Sequence, residues 1–280
     1  MPAARAEGAA RMAGAGTGRR VGEMAGFGES GAGLMRVRGG MLGVNGLRRL
    51  AMADKWLTFD CYGTVADWNS GMSGALAGLA GVSGADAGRL LTAYHQAELE
   101  IEADPQWRPY REVLTAGLAR AAEREGVRLP RGGEEAFVRA WPNIPVFDDA
   151  GPALATLRER GWRLAFLTNC DEDLFATTRS RLPVPFDEWV TAEEVRSYKP
   201  DLAHFRRFAE KTAVTSADWI HVANSWMLDI APAARMGLRC VWVDRDLTGH
   251  PAKLADRRVT SMRRLPEAVS DVNAIPPRAQ

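Results

Sequence analysis

The sequence predicts an α/β protein, a parallel sheet with helices on both faces, interrupted after its first strand by an all-helical insertion. Three observations carry this. From Asp54 onward, short apolar runs rich in Val, Leu, Ile, Phe and Trp alternate with stretches of helical periodicity, and strand-helix-strand repetition implies parallel pairing. Residues 69–142 break the alternation and hold no convincing strand. The 280 residues, 46% of them apolar, suffice for a sizeable core in one large domain or two modest ones.

Residues 1–51 are dominated by Gly, Ala, Arg and Met without a sustained period of 3.6 or 2, so they are expected to be a disordered extension. The first strand spans 55–60. Within the insertion, Leu90, Tyr94, Ala97 and Ile101 share one helical face, and Val113, Leu114, Gly117, Leu118, Ala121 and Ala122 make a second stripe. Helices follow at 149–160, where Pro152 suits a first turn, at 172–181, at 201–213 and at 229–237, which Gly237 closes. Between them lie strands at 163–168, 188–191, 219–223 and 239–244. The expected organisation is a core of 52–68 and 143–268, a helical cap of 69–142, and a tail of 269–280.

Charges nearly cancel, with 36 Lys and Arg against 35 Asp and Glu. The balance is uneven: residues 1–53 hold eight Arg and three Glu, a local +5 that leaves −4 for the rest. A mildly acidic remainder argues against a nucleic-acid partner, which needs a basic face. Cys61, Cys170 and Cys240 have neither metal-ligand spacing nor an even count for a disulfide framework, so a reducing cytoplasm is expected. No apolar run is long enough for a membrane span, and the N-terminus lacks the stretch of about 7–15 apolar residues of a secretory signal.

Asp60 ends the run Trp56-Leu57-Thr58-Phe59 and leads into Cys61-Tyr62-Gly63-Thr64, which places a carboxylate where a buried strand breaks into a tight turn. Gly63 lets the backbone turn sharply there, and ligands of open α/β sheets bind beyond the carboxyl ends of the strands. An Asp in this place is also an ordinary turn former or cap, and on these residues alone the two readings balance. Three further polar clusters follow strands: Thr168-Asn169, Lys199-Pro200-Asp201, and Asn224-Ser225 with Asp229 a turn beyond. Each has a quiet alternative as a cap or surface residue. In a parallel sheet all four termini meet at one edge, so together they predict a pocket holding a nucleophilic Asp, a Lys, hydroxyl and amide donors and a second carboxylate.

This ordered set resembles the haloacid dehalogenase superfamily and, within it, the L-2-haloacid dehalogenase branch, over about residues 54–265. The motifs are Phe59-Asp60-Cys61-Tyr62-Gly63-Thr64, Leu167-Thr168-Asn169, Tyr198-Lys199-Pro200-Asp201, and Asn224-Ser225 through Asp229. The resemblance implies a Rossmann-like core, a helical cap over the site and Asp60 as nucleophile. Phosphatases of the superfamily carry a general-acid Asp two residues after the nucleophile, where this chain has Tyr62 like the dehalogenases; a departing halide needs no proton. Phosphatases also place an acidic Mg²⁺ ligand where this chain has Asn224, and a neutral amide weakens such a site, so no cofactor or metal is expected.

The implied reaction is attack of Asp60 on the halogen-bearing carbon of an (S)-2-haloacid, then hydrolysis of the aspartyl ester. Lys199 is expected to lower the Asp60 pKa and keep it ionised. Thr64, Thr168 and nearby amides are expected to position its oxygens, Asp229 to orient Lys199 and the water, and Cys61, Tyr62, Asn169, His95, Asn224 and Ser225 to meet the substrate. Two departures concern the substrate end: His95 stands where the branch carries an Arg, and Phe205 where it carries a Tyr, with Arg108 or Arg111 as possible replacements. Trp68, Trp107, Trp141 and Trp242 read as packing residues, and His221 as a core histidine with its hydrogen bonds satisfied and no ligand role. The resemblance suggests a homodimer. The rival readings are a phosphatase of a small phosphorylated metabolite and an inactive binding protein of the same fold.

Overall fold

The computed structural model describes residues 54–277, together with the strand residues 35–37 and 40–42. Met35–Val37 (β1) pairs antiparallel with Gly40–Leu42 (β2). This hairpin departs from the unstructured extension expected over 1–51; the remainder of that expectation lies outside the described residues.

From Ala53 on, the chain forms a second unit around a sheet of six strands: Trp56–Phe59 (β3), Arg163–Thr168 (β4), Glu188–Thr191 (β5), Trp219–Ala223 (β6), Arg239–Val243 (β7) and Arg257–Val259 (β8). All pairs are parallel, in the order β5-β4-β3-β6-β7-β8. Both faces are covered, so side-chain alternation sorts each strand into two cores. Leu57, Phe59, Leu164, Phe166, Ile220 and Val222 enter one, which continues into the insertion. Trp56, Ala165, Leu167, Trp219 and Ala223 enter the other, with Phe205 and Phe208. The strand order reverses between β3 and β6, and such a switch opens a crevice at the carboxyl ends. Asp60 follows β3 and Asn224 follows β6 at that crevice.

Core helices are Ala150–Glu159, Glu172–Arg179, Ala192–Val195, Ala203–Thr212, Ala231–Arg235 and Leu265–Asn273. The helix expected over 229–237 begins earlier, as a widened turn over Trp226–Ile230 whose start is capped by the Ser225 hydroxyl accepting the Leu228 N–H. Three core elements are new: the one-turn helix Ala192–Val195, β8, whose Arg257 and Arg258 give no apolar run, and the helix Leu265–Asn273. That helix crosses the tail boundary expected at 268, because Val269 and Val272 are buried and the Arg239 guanidinium binds the carbonyls of Val272, Asn273 and Ile275.

The insertion is helical among its described residues, with Trp68–Ala77 (α1), Gly84–Glu102 (α2), Tyr110–Glu125 (α3) and Ala136–Ala140 (α4). Ser83 and Asp86 form a capping box at the start of α2, and Gly126 ends α3 at φ 64°. The two apolar stripes are buried against each other. Gly117 is what lets them close: a Cβ there would lie 2.8 Å from Tyr94 Cε2. No helix of the described residues is long and apolar enough to cross a membrane.

Candidate active site

The loop after β3 begins the site. Gly63 takes φ 88°, open to glycine at little cost, and turns the chain so that Thr64 faces back to Asp60. The Thr64 hydroxyl donates to Asp60 Oδ2 at 2.8 Å and accepts the Asn224 backbone N–H at 2.8 Å. Lys199 Nζ donates to Asp60 Oδ1 at 2.9 Å, to Asp229 Oδ1 at 2.7 Å and to the Leu167 carbonyl at 2.9 Å. These exhaust its three protons. Asp60, Lys199 and Asp229 are 7%, 2% and 1% exposed, so the ammonium between two carboxylates is a buried cluster.

Burial opposes charge on all three. For Lys199 the two carboxylates outweigh it and hold the ammonium above its ordinary range. For Asp229, Lys199 and His221 outweigh burial, and its carboxyl lies below the usual value. Asp60 goes the other way. Burial, helped by the Asp229 charge, exceeds the pull of Lys199 and Thr64, and its pKa is raised. The expectation that Lys199 would bring Asp60 below its ordinary value is therefore corrected: Lys199 limits the rise without reversing it.

Behind Asp229 runs a buried chain in which His221 is the satisfied core histidine expected from the sequence, with partners that the sequence did not name. Trp219 Nε1–H donates to Thr58 Oγ1 at 2.7 Å, Thr58 Oγ1 meets His221 Nδ1 at 2.8 Å, and His221 Nε2 meets Asp229 Oδ1 at 3.2 Å. With the proton on Nε2, every bond runs in one direction, from indole to hydroxyl to imidazole to carboxylate. Thr58 and His221 are register partners on adjacent strands, so sheet pairing creates the contact. Phe205 packs edge-on against His221, centroids 5.0 Å apart, and belongs to the lower core.

A cavity of about 300 Å³ opens over the cluster. Of the expected residues it is lined by Asp60, Tyr62, His95, Asn169, Lys199, Asn224, Ser225 and Asp229. Tyr62 turns its phenol away, to Thr178 Oγ1 at 3.0 Å and the Trp141 indole N–H at 3.2 Å, and burial keeps it protonated by raising its pKa. Asn169 donates to the Lys199 carbonyl at 3.3 Å and accepts its N–H at 2.8 Å, which fixes the lysine loop. His95 Nε2 lies 3.1 Å from Asn69 Oδ1.

Thr168 and Cys61 are not brought in. Thr168 is fully buried and its hydroxyl has no partner, since Thr64 and Lys199 already serve Asp60; its carbonyl meets His204 Nε2 at 3.2 Å. The Cys61 thiol packs in the core, and burial raises its pKa. Arg108 and Arg111 also stay outside the cavity, paired with Asp104 and Asp173. The sequence reading missed Trp68, Asn69, Glu98, Glu102, Tyr110, Leu228 and Asp246 as lining residues. Glu98 and Glu102 had one signal: they follow Tyr94 four and eight residues on, along the edge of the apolar stripe.

The donor set does not suit a divalent ion. Asn224 Nδ2 donates to Asp246 Oδ2 at 2.9 Å, its Oδ1 accepts the Arg245 N–H at 3.1 Å, and both Asp60 oxygens are engaged. No group of three or more His, Cys, Asp or Glu among the described residues is arranged to hold a metal. The arrangement supplies a nucleophilic carboxylate, a fixed ammonium, and a second carboxylate whose Oδ2 is buried without a partner.

A family model described as a haloacid dehalogenase-like hydrolase matches residues 55–237. The chain is 32% identical over 169 residues to a phosphoserine phosphatase of Thermus thermophilus, covering 58% of this chain and 67% of that one. It is 23% identical over 196 residues to haloacetate dehalogenase H-2 of Moraxella sp., covering 68% and 85%. The fold superposes on the L-2-haloacid dehalogenase from Xanthobacter autotrophicus with chloropropionic acid covalently bound, with TM-score 0.64 and 19% identity over 78% of this chain and 98% of that one.

Proposed function

This chain belongs to the haloacid dehalogenase-like hydrolases, and from that premise we propose that it hydrolyses a carbon–halogen bond adjacent to a carbonyl, through an ester at Asp60. The observation that carries the reading is Asp60 held between Lys199 and Thr64 while the residue two positions on, Tyr62, points its phenol at Thr178 and Trp141. A nucleophile is prepared, and no proton donor stands at position 62 for an alcohol leaving group. Asp60 attacks the carbon, the carbon–halogen bond breaks, and halide leaves with the electron pair. Water then adds to the Asp60 carboxyl carbon. The unpartnered Asp229 Oδ2 accepts its proton, and backbone amides of the loop after β3 are the donors assigned to the oxyanion. Expulsion of the alcohol, which takes that proton, leaves Asp60 as the acid, and loss of its proton to solvent restores the carboxylate.

The phosphoserine phosphatase relative favours a second reading, hydrolysis of a phosphate ester. Electrostatics weighs against it. The cavity is lined by Asp60, Glu98, Glu102, Asp229 and Asp246 with Lys199 as the opposing cation, and a phosphate dianion would need a metal ion that Asn224 does not accommodate. The test is parallel measurement of halide release from short 2-halogenated acids and amides with a chelator present, and of phosphate release from small phosphate esters with Mg²⁺. Halide release that disappears in Asp60→Asn is expected. Mg²⁺-dependent phosphate release without halide release would reverse the assignment.

A further inference from the structure

The cap end of the cavity holds two carboxyl groups and no free cation. Glu98 and Glu102 lie four residues apart on α2, so they share a face, and both line the cavity. Glu98 Oε1 accepts the phenols of Tyr94 at 3.1 Å and Tyr110 at 2.5 Å. Its Oε2 faces His95 Nδ1 at 3.6 Å, too far for a good hydrogen bond. Glu102 Oε2 meets Asn169 Nδ2 at 3.4 Å. Lys199 is saturated by Asp60, Asp229 and Leu167, and Arg108 and Arg111 are turned to other acids outside the cavity. A substrate carboxylate here would add a negative charge beside Glu98, with His95, already facing Glu98 Oε2, as the one basic side chain among the described residues at this end of the cavity.

Burial, reinforced by Glu98, raises the Glu102 pKa well above the ordinary range. Two carboxyl groups on one helix face of the same cavity disfavour a second negative charge, so Glu102 serves as the O–H donor beside Glu98, whose Oε1 is taken by the two phenols and whose Oε2 is the open acceptor. One acceptor next to one donor is the complement of a primary amide, which presents N–H₂ and C=O side by side.

We propose that Glu98 and Glu102 select a small 2-haloamide over the corresponding 2-haloacid. The inference rests on the dehalogenation reading and narrows it. The amide bond stays intact: the carbon–halogen bond breaks, a carbon–oxygen bond to Asp60 forms, and water releases a 2-hydroxyamide together with halide and one proton. The amide carbonyl activates the carbon for displacement as a carboxylic acid derivative does, without the charge.

The test is halide release from (S)-2-bromopropionamide and (S)-2-bromopropionate, with Asp60→Asn as the blank for spontaneous reaction. Wild type is expected to favour the amide by at least about tenfold in kcat/KM, since loss of a paired buried hydrogen bond of about 1.4 kcal/mol is tenfold. Glu98→Gln, near-isosteric, weakens the acceptor and removes its charge, and Glu102→Leu removes the donor; each should move the ratio toward the acid. A wild type that favours the acid, or a ratio that neither variant moves, overturns the selectivity while leaving dehalogenation standing. Absence of Asp60-dependent halide release from both compounds overturns the two together.

Discussion

Asp60 is held in opposition: burial and Asp229 raise its pKa, while Lys199 and Thr64 restrain the rise. Only the ionised carboxylate attacks, so the rate must fall as pH drops through that raised value, and the acid limb of kcat/KM should lie above the range of an ordinary Asp, about 3.9. The Thr64 hydroxyl bonds the ionised form, so Thr64→Val should move the acid limb to higher pH. A hydrogen bond to a charged group is worth about 1.5–3 kcal/mol, so kcat/KM should also fall by about 10- to 100-fold, with Thr64→Ser restoring most of both. A Thr64→Val profile that overlays wild type would remove Thr64 from the site. Thr64 was legible in the sequence through the resemblance of its motif, and Asp60, Lys199 and Asp229 because each follows a strand whose carboxyl end meets the same sheet edge. Thr168 misled for the same reason: a strand end locates a residue along the crevice but not which way its hydroxyl turns. His221 and Thr58 needed the register between β3 and β6, which no single segment contains.

At the scale of elements, the strands were legible where apolar runs were uninterrupted, and β4, β5 and β6 match their expected bounds. β8 escaped because two of its three residues are Arg with exposed side chains at a sheet edge, and the last helix because its anchor is Arg239, more than twenty residues earlier. The helical insertion was visible as two stripes, but the small residue joining them acts through contact. Gly117 has no Cβ where one would sit 2.8 Å from the Tyr94 ring. Two effects compete in Gly117→Ala. Helix propensity gains about 1 kcal/mol, whereas overpacking costs about 1–3 kcal/mol. Tyr94 is fully buried against Trp68 and Phe137, ring centroids 5.3 and 4.8 Å away, so it has little room to withdraw. The steric term should win, and thermal unfolding should show a lower Tm; a raised Tm would mean that the cap yields at this contact.

Across the whole described unit, one ion pair ties together segments that the sequence keeps far apart. Arg245, just beyond β7, donates to Asp149 Oδ1 at 2.8 Å and Oδ2 at 3.1 Å, and to the Thr64 carbonyl at 2.9 and 3.2 Å. Asp149, where the chain returns from the insertion to the core, also accepts the Ser261 hydroxyl at 2.7 Å and the Met262 N–H at 2.9 Å, at the approach to the last helix. The nucleophile loop, the return from the cap and the C-terminal helix are therefore joined through the Arg245–Asp149 pair. Burial works against the charge on Asp149, but Arg245, Ser261 and Met262 outweigh it and hold the pKa below its ordinary value. A carboxyl depressed on folding contributes stability above its unfolded pKa and loses it as pH falls through the folded one. Asp149→Asn removes that charge and leaves Arg245 poorly compensated, at a cost of about 2–4 kcal/mol, somewhat less than for a fully buried pair. Urea unfolding at neutral pH should show the loss as a lower midpoint with an unchanged slope. The gap from wild type should then narrow on acidification, as wild-type Asp149 takes up its proton; a gap that stays constant to the acid end would show that the carboxylate charge is not what joins the three segments.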